Sequence, residues 1–117
     1  MKLQKFSVEN TPDLEDWGVV RDPLTQPACR VKGKQHAELE GGALKAGIWE
    51  CTPGRFRRAL FDNEFMHIVS GECTFTPEGG EPVMLRTGDS FSLSADVQGV
   101  WEVHSTMRKV YAISGAK

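Results

Sequence analysis

The sequence predicts an all-β domain, a sandwich or barrel of short strands. From Ala37 onward the chain divides into β-prone stretches of about four to seven residues, with turn signals about every ten. Twelve glycines and six prolines are spread along its length and supply those turns. No segment after residue 36 carries the long apolar period of a packed helix, which argues against an α/β domain.

The elements follow in order. Residues 1–35 are rich in Pro, Asp and Lys, with Pro12, Pro23 and Pro27 interrupting any long element. They are expected to form an N-terminal extended arm that lies across the domain or a partner subunit. Asn10-Thr11-Pro12-Asp13 reads as a helix start, which predicts a short helical turn through Leu14 and Trp17, stopped by Gly18. Residues 36–117 form the β domain. Ala43 to Thr52 reads as a strand ending at the turn dipeptide Pro53-Gly54, and Phe56 to Phe61 as a second ending at Asp62-Asn63. Glu64 to Val69 is apolar and ends at Ser70-Gly71; Cys73 to Thr76 leads into a hairpin loop, Pro77-Glu78-Gly79-Gly80. Pro82 to Leu85, Ser90 to Leu93, Val100 to His104 and Arg108 to Ile113 complete the set.

Composition excludes several classes. At 117 residues the chain is one domain by length, and at 39% apolar and 26% charged it is an ordinary folded domain. A formal net charge of -2 gives no basic footprint, so no nucleic-acid partner is expected. No apolar run is long enough to span a membrane, and the first ten residues lack a hydrophobic signal core, so a cytoplasmic setting is expected. Cys29, Cys51 and Cys73 are widely spaced with no C-x-x-C pair, which indicates buried reduced thiols, not a disulfide framework or a zinc knuckle.

Two segments carry the functional signal. The first is Glu64-Phe65-Met66-His67-Ile68-Val69-Ser70-Gly71, a glutamate and a glycine with six residues between them. The second opens at Gly88-Asp89 and runs through Ser94, Asp96 and Gly99 to Trp101 and Val103. Together they resemble the two motifs of a cupin, G-x5-H-x-H followed by E-x6-G, then G-x5-P-x-G-x2-H-x3-N. With Trp49, Cys51, Gly54, Phe56, Arg108, Lys109 and Tyr111 in the same series, residues 42–114 look like the single-domain cupins related to ureidoglycine aminohydrolase and to ethanolamine-utilisation proteins. The resemblance implies a closed, RmlC-like jelly-roll barrel (a double-stranded β-helix) and commonly a homodimer.

The family's metal ligands are mostly replaced. Its first two histidines fall at Arg58 and Leu60, or at Arg57 and Ala59, and its third at Gly99; only Glu64 remains. No metal or other cofactor is therefore expected, the alternative being a divalent ion held weakly by Glu64 and water. Strand alternation places Glu64, Met66 and Ile68 on the inner face and Phe65 and His67 outside. Gly99, Trp101 and Val103 share an inner face, with Gly99 leaving the volume of an imidazole empty. The expected cavity is lined by Arg58, Leu60, Glu64, Met66, Gly99 and Trp101, with Trp49 joining from a neighbouring strand.

Glu64 carries two readings: a catalytic base or ligand anchor, or the buried member of an ion pair with Arg57 or Arg58. Arg58, if inward, suits a carboxylate ligand. Trp49, Trp101 and Tyr111 form either a cage for a cationic amine or the packed core. His67, His104 and His36 are not expected to be ligands, and Asp89 is expected to cap its own turn. The expected function is binding of a small polar metabolite; the alternative is an enzyme of nitrogen-compound metabolism acting on a ureido or amino compound, with Glu64 as its base.

Overall fold

The computed structural model describes Leu3, residues 5–7 and residues 13–115. Eight strands run β1 Glu15–Val19, β2 Arg30–Leu39, β3 Leu44–Cys51, β4 Gly54–Ala59, β5 Asn63–Pro77, β6 Val83–Arg86, β7 Ser90–Leu93 and β8 Gln98–Ser114, with a short 3-10 turn at Glu40–Gly42. Among the described residues no helix is long and apolar enough to cross a membrane.

All pairings are antiparallel, and the ladder runs β1-β2-β3-β8-β5-β6, with β4 also on β8 and β7 also on β5. The all-β jelly-roll expectation holds, but the expected closed barrel does not: the ladder is open, with β1 at one end and β6 at the other. Closure needs every strand to hydrogen-bond on both sides with a consistent stagger. The free side of β4 meets residues 22–24 instead of a strand, through Arg57 N–H to the Asp22 carbonyl at 3.0 Å and Leu24 N–H to the Arg55 carbonyl at 2.9 Å. Pro23 sits between those two contacts, has no N–H to give, and limits the pairing to one isolated bridge with Phe56.

The centre of the sheet is the long pair β5 and β8. Each was expected as two strands, Glu64–Val69 plus Cys73–Thr76 and Val100–His104 plus Arg108–Ile113, and each is continuous. In β5 the expected break at Ser70-Gly71 is a bulge. The register with β8 shifts between Ile68, Ser70, Glu72 and Cys73, and Gly71 takes φ 87°, where a side chain would be strained. The buried positions accordingly change from even (Glu64, Met66, Ile68) to odd (Cys73, Phe75), so both halves face one core. That core gathers Ile68, Cys73, Phe75, Trp101, Val103 and Met107, with Cys29 and Cys51, and all three cysteines are free thiols.

Sequence reading also missed β1 and the first half of β2. The expected helical turn through Leu14 and Trp17 is absent; residues 15–19 form β1, and Asn10, Thr11 and Pro12 lie outside the described residues. A bulge falls between Asp16 and Gly18, so Trp17 is the extra residue, and its ring lies over Gly33 of β2, where a Cβ would come within 2.2 Å of it. Bulges commonly re-aim a side chain in this way. The Asp89 cap forms as expected, with Arg86 N–H donating to Asp89 Oδ2 at 2.8 Å.

Candidate functional site

A cavity of about 210 Å³ lies against the inner face where β3, β5 and β8 meet. Its polar walls are Arg58, Glu64, Lys109 and Tyr111, and its apolar walls are Trp17, Trp49 and Ile113. Cross-strand register brings these groups together: Lys109 lies opposite Trp49 on β3 and Ile68 on β5, Tyr111 lies opposite Met66, and Glu64 lies opposite Ile113.

Lys109 is the unexpected member. Its position on β8 alternates with Met107 and Tyr111, so it points inward and is only 5% exposed. The ammonium donates to Met66 Sδ at 2.8 Å and sits over the rings of Trp49, at 4.3 Å, and Trp101, at 5.3 Å. Among the described residues no carboxylate lies within ion-pairing distance of it. Burial pulls this amine from 10.5 down to about 8; the Glu64 charge opposes that shift and the Arg58 charge adds to it. Burial also pushes the Tyr111 phenol up, and the Glu64 carboxylate acts in the same direction.

Glu64, 7% exposed, accepts a hydrogen bond from Arg58 Nη2 at 3.1 Å. Arg58 reaches inward from β4 while its side chain stays 40% exposed. The pair is therefore asymmetric, and the two halves should differ in cost. Arg58→Ala strands a buried carboxylate and is expected to lower stability by about 1–3 kcal/mol. Glu64→Gln leaves an arginine that water can reach, and is expected to cost less than about 1 kcal/mol. Urea unfolding midpoints of the two variants check this; the reverse order would contradict the pairing.

Of the residues expected to line the site, Arg58, Glu64 and Trp49 meet around the cavity, and Met66 touches it through Lys109. Leu60, Gly99 and Trp101 are buried elsewhere. Gly99 leaves no imidazole-sized gap: a Cβ there would meet the Thr76 carbonyl oxygen at 2.4 Å and the Phe75 ring at 2.6 Å. Trp101 packs in the core against Phe75 and Phe91, with ring centroids 4.8 and 5.9 Å away. His67 faces away from Glu64, its Nδ1 at 2.7 Å from Ser90 Oγ, and His104 pairs with Thr74 Oγ1 at 2.8 Å. A second hollow of about 380 Å³ shares Trp17, Trp49 and Arg58 with the cavity and is otherwise bordered by Arg21 and by apolar groups such as Val19, Phe56 and Phe61.

The antiparallel jelly-roll sheet and the buried Glu64 on its inner face are features that the cupin resemblance implies. The chain belongs to the family of EutQ-like cupin domains, whose model matches residues 38–111. This bears out the cupin resemblance read from Glu64-x6-Gly71 and its companions. Among solved structures, a DUF861-family protein of unknown function from Pseudomonas syringae pv. tomato superposes with TM-score 0.78 at 21% identity. That match covers 86% of this chain but 44% of the Pseudomonas chain, so this chain spans less than half of that protein's length. The EutQ protein of Clostridium difficile gives TM-score 0.68 at 21% identity, covering 82% of this chain and 78% of that one. An RmlC-like cupin from Shewanella frigidimarina gives 0.69 at 18%, covering 98% and 94%. No curated protein matches the chain.

The metal ion associated with cupins does not fit these residues. Glu64 is held by Arg58, a second cation, Lys109, lines the same cavity, and a soft thioether lies beside it. Among the described residues no group of three or more His, Cys, Asp or Glu is placed to hold a metal. Two basic groups, Arg58 and Lys109, and one acid, Glu64, line the cavity instead.

Proposed function

We propose that the cavity binds a small anionic metabolite, a carboxylate above all, with Lys109 and Arg58 as its polar anchors. The observation that carries this reading is the buried Lys109 ammonium without a carboxylate partner. A buried charge calls for compensation, and Glu64, the one acid in the cavity, is already paired with Arg58. With Lys109 protonated the cluster of Arg58, Glu64 and Lys109 carries one net positive charge, which an anionic ligand neutralises. The size supports a small molecule, since about 210 Å³ equals the liquid volume of roughly seven waters. The adjoining hollow, lined by Arg21 and Arg58 as well as by apolar groups, gives room for the remainder of a larger ligand.

The same geometry disfavours a cationic amine. The faces of Trp49 and Trp101 that would cage one are occupied by the protein's own lysine. It equally disfavours Glu64 as a lone base, because its carboxylate is already engaged by a charge-assisted bond from Arg58.

Calorimetric titration tests the reading. Propionate is expected to bind wild-type protein and methylammonium is not. Propionate affinity should fall by up to about tenfold as pH rises from 7 to 9, because Lys109 loses its charge near 8 and with it one charge-assisted contact. Binding of methylammonium in place of propionate would overturn the proposal, as would propionate affinity that does not change with pH.

A further inference from the structure

We infer that Lys109 is an amine nucleophile that forms an imine with the carbonyl group of a small 2-oxo acid bound in this cavity. The inference rests on the carboxylate-binding reading above and assigns the ligand a second functional group.

The argument begins with placement. Lys109 belongs to the wall of a partly open cavity large enough for a molecule of a few atoms, and no carboxylate ties its ammonium down. A surface lysine is strongly hydrated and protonated at neutral pH, so its lone pair is occupied. This one has a thioether and two indole faces around it in place of water. Desolvation and a neighbouring cation are the two devices that free a lysine lone pair for attack on a carbonyl carbon, and both are present, the cation being Arg58. With the amine pulled down to about 8, a substantial share is neutral at mildly alkaline pH. Arg58 can hold the carboxylate of the ligand while Nζ meets the adjacent carbonyl, which is why a 2-oxo acid suits the pair better than a plain aldehyde.

The step balances without any redox partner. The Nζ lone pair attacks the carbonyl carbon, a C–N bond forms, and the π electrons pass to oxygen, which takes a proton as nitrogen releases one. The resulting carbinolamine hydroxyl is protonated and leaves as water while the nitrogen lone pair closes the C=N bond. Solvent supplies and accepts these protons, since Glu64 is engaged by Arg58.

The test is reductive trapping on the intact chain. Wild-type protein is incubated with pyruvate and cyanoborohydride near pH 8, and the product is read by intact mass and peptide mapping. The expected result is a single addition, equal to pyruvate less one oxygen, located on Lys109 and suppressed by excess propionate. Lys109→Met, checked for folding by its cooperative melt, should lose that addition. Because wild-type protein carries the competition experiment by itself, the test stands even if the variant fails to fold. Slow addition spread over surface lysines, with no excess at Lys109, would overturn the imine. If propionate binds while pyruvate leaves Lys109 unmodified, the imine falls and the anion site stands. If Lys109 is trapped but propionate neither binds nor protects, the imine stands and the anion reading falls.

Discussion

Lys109→Met is expected to melt higher than wild type at pH 7, by roughly 5–10 °C, a net gain on the order of 1–3 kcal/mol. The folded protein holds this amine at about 8 against an ordinary 10.5, and a shift of that size corresponds to a penalty on the order of 3 kcal/mol when the group is charged. Methionine is likewise unbranched and one heavy atom shorter, suits the thioether and indole surroundings, and forfeits the weak bond to Met66 Sδ and the cation–π contacts, the latter worth about 1–2 kcal/mol. Glu64 is not left alone by the change, because its hydrogen bond comes from Arg58.

The sign of the pH dependence follows from the same shift. Below about pH 8 both folded and unfolded chains protonate Lys109, so the penalty is full and constant. Between about 8 and 10.5 the unfolded chain still binds this proton and the folded chain does not, so the Lys109 contribution to stability rises with pH. The buried thiols act oppositely. Burial raises Cys73 from 9.0 to about 11 and raises Cys51 and Cys29 as well, so above about pH 9 the unfolded chain loses thiol protons that the folded chain keeps, and stability falls. Wild-type stability should therefore climb from pH 8 and turn over near 9. The difference between wild type and Lys109→Met removes the thiol contribution and should shrink steadily from pH 8 to 10.5. Denaturant midpoints across that range decide it; a constant difference would mean that Lys109 keeps an ordinary affinity for its proton.

Trp101→Ala should have the largest effect in the other direction. The side chain is 3% exposed and packs against Phe75 and Phe91, with the Lys109 ammonium over its ring. Truncating a buried aromatic to alanine costs about 3–5 kcal/mol, partly transfer and partly the cavity left behind. Against a total of about 5–15 kcal/mol for a domain of ordinary stability, that brings the chain close to unfolding. A fall in the urea midpoint should accompany a Lys109 proton affinity nearer normal, since water entering the vacated space would hydrate the ammonium. A loss under about 1 kcal/mol would mean that Trp101 is not part of the packed core.

The parts of this fold that could be read from the sequence are those with local causes. Alternation placed Glu64, Met66 and Ile68 on one face and His67 on the other, and turn chemistry marked Pro77–Gly80 and Gly88-Asp89. Closure was not legible, because whether β1 and β6 meet depends on contacts distant in sequence and on what Pro23 permits beside β4. The bulge at Gly71 was mistaken for a chain break, since a glycine at positive φ serves either purpose. β1 was hidden because Asp16-Trp17-Gly18 reads as a helix end when its partner Gly33 is not in view.

The site divides in the same way. Glu64, Arg58 and Trp49 were found from the family motif and strand parity. Lys109 belongs to the motif series, and alternation from Met107 to Tyr111 puts it on the inner face, but the motif itself gives a lysine there no role. A lysine in a strand is so commonly solvated that parity alone seldom overrides the habit. Gly99 failed for the opposite reason: deleting a side chain suggests a void, and here the Phe75 ring and the Thr76 carbonyl have moved into it.

The seating of Lys109 on two indoles has an optical consequence. A proton arriving at or leaving Nζ changes the charge 4.3 Å from the Trp49 ring and 5.3 Å from the Trp101 ring, close enough to alter their emission. The third tryptophan, Trp17, is more exposed and stands at the cavity wall. The molecule thus carries its own fluorophores around the one amine whose state matters, and ionisation, occupancy and covalent capture at that amine can all be followed by light without attaching a label.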